Sequence, residues 1–124
     1  MSISDAMSMI ELSGLITRFE NHMKVVSRTL DKFPGYELSI DELDEIAKDA
    51  AYVYSNIFGL LRSNDLPGPV TNNGLIRMQS IILGCQPELA IAILKLYPSF
   101  LPVDLMPYGM NYSKNALAAM HARQ

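Results

Sequence analysis

The chain has 124 residues, a formal net charge of −3 and a pI near 5.2. Hydrophobic residues make up 49% and charged residues 19%, enough for one packed core, too short for two ordinary domains, and incompatible with wholesale disorder. One cysteine, Cys85, and two histidines, His22 and His121, supply neither a disulfide nor a zinc ligand set.

From Met1 to Ile16 the chain carries Asp5 and Glu11 and no basic residue, the reverse of a secretory leader. The most apolar stretch, Ile81–Tyr97, is broken by Gln86, Pro87, Glu88 and Lys95. It falls short of the ~20 apolar residues that a membrane span needs. The expectation is a cytoplasmic protein with no membrane contact. Residues 1–70 hold six basic and eleven acidic side chains, whereas residues 71–124 hold four basic and two acidic. That balance excludes a strongly basic nucleic-acid footprint, because each neutralised phosphate needs a cation. Any DNA contact falls to Arg77, Lys95, Lys114 and Arg123, and is weak or made through a more basic partner.

The first element reads as a long helix. Leu12, Ile16, Phe19, Met23, Val26, Leu30 and Phe33 alternate spacings of four and three, an unbroken heptad seam. Ser8 with Glu11 forms a capping box that would start it, and Pro34-Gly35 would end it. Ser39 with Glu42 is a second capping box, followed by acidic residues that suit a helix N-terminus. Leu43, Ile46, Ala50, Val53, Ile57 and Leu60 then step by three and four. The short link implies an antiparallel hairpin over residues 8–62, its two seams facing each other.

Residues 63–74 (SNDLPGPVTNNG) read as a linker, rich in proline, glycine and asparagine. Leu75–Leu83 reads as a short helix, Gly84-Cys85 as a turn, and Gln86-Pro87 as a helix start with proline in first position. The helix Pro87–Tyr97 is apolar nearly all round, so it should be central or lie in an interface. Its Leu89, Ile93, Leu96 and Tyr97 are the candidate partner-interface residues. With two apolar seams and eight methionines, they predict a homo-oligomer or a helical protein partner. Pro98, Pro102 and Pro107 impose an irregular run, and Ser113 is placed to cap a last short helix reaching about His121. No alternating β pattern and no internal repeat occur. The expected fold is a single all-α domain over residues 1–124: helical hairpin (8–62), linker (63–74) and a helix-turn-helix-like C-terminal part (75–124).

Few residues suggest chemistry. Asp41–Glu45 with Asp49 reads as a solvated helix start, since neither an EF-hand nor a Glu-x-x-His pattern is present. His22 lies beside the first seam and His121 near the end of the chain. Cys85 precedes a helix N-terminus, where a thiol pKa can fall, but a buried small hydrophobe is the plainer reading. Phosphate-loop, dinucleotide, nucleophile-elbow and zinc-protease patterns are all lacking, so neither catalysis nor a cofactor is expected. Leu75–Tyr97 has helix-turn-helix proportions, but its second helix offers base edges only Gln86, Glu88 and Lys95.

The run Leu83-Gly84-Cys85-Gln86-Pro87-Glu88-Leu89-Ala90 through Leu96 resembles the L-G-x-x-x-E-x-A-x-x-L stretch of the FlhD-type flagellar transcriptional regulators. Arg77-Met78-Gln79, Leu94-Lys95-Leu96-Tyr97 and Leu105-Met106-Pro107-Tyr108 resemble segments of the companion regulator FlhC. The N-terminal hairpin has no counterpart in FlhD, and the cysteine-rich zinc site of FlhC is missing. The resemblance implies a subunit of a hetero-oligomeric transcription activator whose partner makes most of the DNA contact. The expected function is therefore a small helical regulator acting through protein–protein contact. Its rival is a helical adaptor, chaperone or inhibitor of a secretion, conjugation or phage system, with no DNA role.

Overall fold

The computed structural model of the chain describes residues 3–32, 39–63 and 66–123. In order, the elements are α1 (Ile3–Lys32), α2 (Ile40–Ser63), α3 (Gly68–Leu83), α4 (Pro87–Leu96), a 3-10 turn (Tyr97–Phe100) and α5 (Met106–Arg123). The fold is all-α. Among the described residues, no helix is long and apolar enough to cross a membrane.

The seam of α1 lands where its period puts it. Leu12, Ile16, Phe19 and Met23 are buried, while Val26 and Leu30 are half-buried. Phe33 and the Pro34-Gly35 stop lie outside the described residues. The start differs from expectation, because α1 already runs from Ile3 and Ser8 stands inside it. No glycine or proline between Ile3 and Glu11 forces a boundary there, so the Ser8–Glu11 pattern does not mark the start of the helix.

At α2 the cap is real. Ser39 Oγ accepts the Glu42 N–H at 3.2 Å and the Ser39 carbonyl accepts the Leu43 N–H at 3.0 Å. Asp41 and Glu42 occupy the first turn and Arg62 the last, matching the helix dipole. The inward face, however, runs through Ala47, Ala51, Tyr54, Ile57, Phe58 and Leu61. Val53 and Leu60, expected inside, are 42% and 40% exposed. The reason is area: burying Tyr54 and Phe58 removes far more surface from water than burying Val53 and Leu60. The helix is rotated accordingly.

Contacts fix how the first three helices run. Phe19 meets Tyr54 edge-on with ring centroids 6.0 Å apart, whereas Leu12 and Ile16 share a cleft with Leu61. Advancing along α1 therefore means retreating along α2, the sense of an antiparallel pair. Arg77 reaches Ser13 and Thr17, and Gln86 reaches Ser27 and Asp31, so α3 and its following turn run alongside α1 in the same direction.

The linker expected at 63–74 is largely helix. Ser63 closes α2 and α3 begins at Gly68, with Pro69 in the first turn, where no N–H is needed. The Pro67 carbonyl accepts the N–H groups of Val70 and Thr71. Gly74 makes the approach to α2: a Cβ there would lie 2.7 Å from Leu61 Cδ2. The same logic moves the last helix forward. α5 begins at Met106 with Pro107 in its first turn, so Ser113 is a buried mid-helix residue and caps nothing.

α4 starts at Pro87, as its sequence indicates, and lies at the centre, against α2, α3 and α5. Leu89, Ala90, Ile93 and Leu94 are wholly buried. Around its C-terminal end gather Tyr54, Phe58, Tyr97 and Tyr112, with Tyr54 and Tyr97 centroids 4.6 Å apart. The Tyr97 hydroxyl donates to the Gly109 carbonyl at 2.7 Å and that of Tyr112 to the Leu75 carbonyl at 2.6 Å. The fully buried Tyr54 hydroxyl faces Tyr112 without closing a hydrogen bond.

That asymmetry predicts opposite outcomes for one substitution. Tyr97→Phe should cost about 1 kcal/mol, the net worth of a buried hydrogen bond. Tyr54→Phe should be neutral or stabilising, since it removes a polar group that is already unpaired. Denaturant unfolding of the two variants checks this. A Tyr54→Phe variant that loses more stability than Tyr97→Phe would contradict the packing described.

Candidate functional site

Of the expected partner-interface residues, Leu89, Ile93 and Tyr97 are wholly buried within the chain, and only Leu96 is partly accessible. This corrects the expectation of an α4 interface: internal packing already uses the apolar helix.

The expected DNA-contact residues sit on three helices. Arg77 is directed at α1, its guanidinium donating to Ser13 Oγ at 3.4 Å and Thr17 Oγ1 at 3.2 Å. Lys95 and Lys114 are exposed on α4 and α5, and the Arg123 side chain lies outside the described residues. None of the described contacts joins one of these residues to another. α3, the turn and α4 do form a tight corner, with the Gly84 N–H on the Ser80 carbonyl and the Cys85 N–H on that of Ile82. The would-be reading helix shows solvent mainly Glu88 and Lys95, with Ile91 and Ala92 partly exposed. Such a face has little with which to read base edges.

A cleft of about 300 Å³ opens between α1 and the end of α3, lined by Glu20, Lys24, Arg28, Asp31, Ser80 and Cys85 among others. Lys24 and Glu20 face each other across one helical turn at 4.0 Å. The Cys85 thiol donates to the Ile81 carbonyl at 3.3 Å, and burial pushes its pKa up, against a smaller opposing effect of Ser27. Those are the surroundings of a structural thiol and not of an activated nucleophile. Gln86 ties the corner to α1, its Nε2 donating to the Ser27 carbonyl at 3.0 Å and Asp31 Oδ1 at 2.9 Å. His22, His121 and the acidic residues at the start of α2 are exposed, and no described group of such residues is arranged to hold a metal ion.

Exposed apolar side chains lie on the outer side of α2. Val53 and Leu60 lie on it, flanked by Tyr52, which is 57% exposed and edge-on to Phe100 at 5.9 Å. Leu105 lies over Gly59, and the Arg62 guanidinium lies 5.1 Å from the Tyr108 ring. Tyr52 with Phe100 and Arg62 with Tyr108 join α2 to the 3-10 turn and the start of α5, and Val53 and Leu60 are exposed on the same helix; these residues make up an apolar shelf. Sequence reading missed it by assigning Val53 and Leu60 to the core. The available signal was side-chain size: the stripe through Tyr54, Phe58 and Leu61 is bulkier than the positions of Val53 and Leu60.

The tyrosine cluster carries the clearest electrostatic consequence. Burial pushes the hydroxyl pKa of Tyr54 and Tyr97 well above the ordinary value, and that of Tyr112 up to about 12. A tyrosine in the unfolded chain ionises near pH ~10. The fold therefore keeps its full stability below that pH, and should lose it as pH rises through about 12 and the buried hydroxyls are forced to ionise. Tyrosinate absorbance followed together with helical circular dichroism tests this. The late-titrating tyrosines should ionise only as helix is lost. Complete ionisation near pH ~10 with the helix intact would contradict their burial.

No family model, no curated protein and no solved structure matches the chain.

Proposed function

We propose that the chain is a small helical regulatory protein that works through protein–protein contact, with the outer face of α2 as its contact surface. The supporting observation is the shelf through Tyr52, Val53, Leu60, Phe100 and Tyr108. Single exposed apolar residues are ordinary, whereas adjacent ones from separate elements mark a surface suited to a partner. Aromatic residues with an arginine at the border are the types that anchor such contacts.

Two forms of this reading differ over DNA. As a subunit of a transcription activator, in line with the FlhD/FlhC resemblance, the chain would leave the DNA contact to its partner. As an adaptor, chaperone or inhibitor it would have no DNA role. The second form draws support from Arg77, which is engaged with α1, and from α4, whose apolar side is internal. They separate on promoter DNA: only an activator complex should bind it, with affinity that falls steeply as salt rises.

The contact surface itself is tested by a photo-crosslinking residue placed at Tyr52, compared with one at the exposed Glu11 on α1. In cells of the native host, position 52 should give discrete protein adducts and position 11 few or none. Equal adduct patterns from the two positions, or none from position 52, would remove the basis for the proposal.

A further inference from the structure

We propose that the groove between α1 and α3 binds a small aliphatic carboxylate, its head on Arg77 and its tail along apolar walls toward Met9 and Val70. The groove shares no residue with the shelf on α2, so its test is independent of that contact surface.

The walls carry the first part. The groove holds about 260 Å³ and is lined by Leu12 and Ile16 of α1, Val70 of α3 and Leu61 of α2. Gly74 adds bare backbone, where no side chain takes up space. α1 and α3 run alongside in the same direction, and Val70 lies about two turns before Arg77. Met9 and Val70 therefore line the end away from the guanidinium, at a separation of ~10 Å along the helices. An unbranched chain of about eight carbons spans that length. Apolar walls with a few placed polar groups are the usual make-up of a small-molecule site.

Charge decides the head group. None of the described residues lining the groove is acidic, and Arg77 alone among them carries a charge. The cleft beside Cys85 differs, because there Glu20 and Asp31 offset Lys24 and Arg28. Among the described residues, the half-buried Arg77 guanidinium donates to the Ser13 and Thr17 hydroxyls at 3.4 and 3.2 Å. Both acceptors are neutral, and both distances exceed the ~2.9 Å usual for an N–H donor to oxygen. A guanidinium has further N–H donors, so these contacts do not exhaust it. A carboxylate can accept two parallel, charge-assisted hydrogen bonds from it, shorter and stronger than those to a hydroxyl. The Asn73 amide, one turn before Arg77 on the same side of α3, supplies another donor in the groove. A cationic amphiphile is repelled by Arg77, and a neutral one makes no use of its charge.

Amide chemical-shift titration of the full chain with octanoate, octanol and acetate tests the proposal. Octanoate should saturate one site with a Kd of about 1 mM or tighter, and the shifts should centre on α1 and α3 around Ser13 and Arg77. Octanol lacks the charge and acetate the tail, so each should bind about tenfold more weakly or worse. Arg77→Gln should weaken octanoate binding by about tenfold or more. Thr17→Ala removes an acceptor that competes for Arg77, and should bind octanoate as tightly as the parent or tighter. Equal loss of affinity in these two variants would mean that Arg77 acts only by tying α3 to α1, and would overturn the head-group contact. Octanoate binding no tighter than octanol, shifts centred elsewhere, or no saturable binding would overturn the site. This comparison of ligands uses the parent chain and does not depend on any variant folding.

Discussion

Tyr54 stands where the two sides of the molecule meet. Its ring is edge-on to Phe19 of α1 at 6.0 Å and to Tyr97 at 4.6 Å, with Tyr112 of α5 beyond. To bring this ring and that of Phe58 inside, α2 must take one rotation about its axis, and that rotation settles much else. It places Ala47 and Ala51 where neighbouring helices come close, and it turns Val53, one residue from Tyr54, toward water. The core and the exposed shelf are thus two consequences of the same choice. The Tyr54 hydroxyl closes no hydrogen bond, so its place in the cluster rests on ring packing.

The remaining helices are fastened to this centre by a few specific devices. Gly74 and Gly109 let backbone lie against Leu61 and Leu101 where a side chain would not fit. The Tyr97 and Tyr112 hydroxyls pin α5 to its neighbours through carbonyls at Gly109 and Leu75. On the other side, α1 is held by apolar residues along its middle and by two polar ties, from Arg77 and Gln86. The side chains that a DNA-reading hypothesis would recruit from this region are therefore the ones that join α1 to the corner.

The all-α class, the α1 seam, the cap at Ser39, and the turn and proline start of α4 were legible in the sequence. Each rests on a local signal with little competition: a single uninterrupted heptad, a hydroxyl three residues before a glutamate, a proline where no N–H is needed. α2 was harder, because two stripes overlap on it. Counting apolar positions alone favours Leu43–Leu60, and only weighting by side-chain size picks out Tyr54 and Phe58. The starts of α3 and α5 were hidden by Pro69, Gly68, Gly74 and Pro107, which resemble loop composition but occupy first turns or a close helix contact. For the same reason as α2, the candidate site was displaced: the apolar helix α4 drew attention to an interface, while the outward stripe of α2 passed as core.

α2 and α4 form the centre of the fold, and α1 lies against α2 and α3 with its described burial deepest from Leu12 to Met23. Native-state hydrogen exchange resolved by residue measures this directly. Amides of Tyr54–Leu61 and Leu89–Leu94 should exchange slowest, at the rate of global unfolding, and those near the C-terminal end of α1, around Thr29, should exchange much faster. Amides near Thr29 protected as strongly as those of α2 and α4 would contradict it.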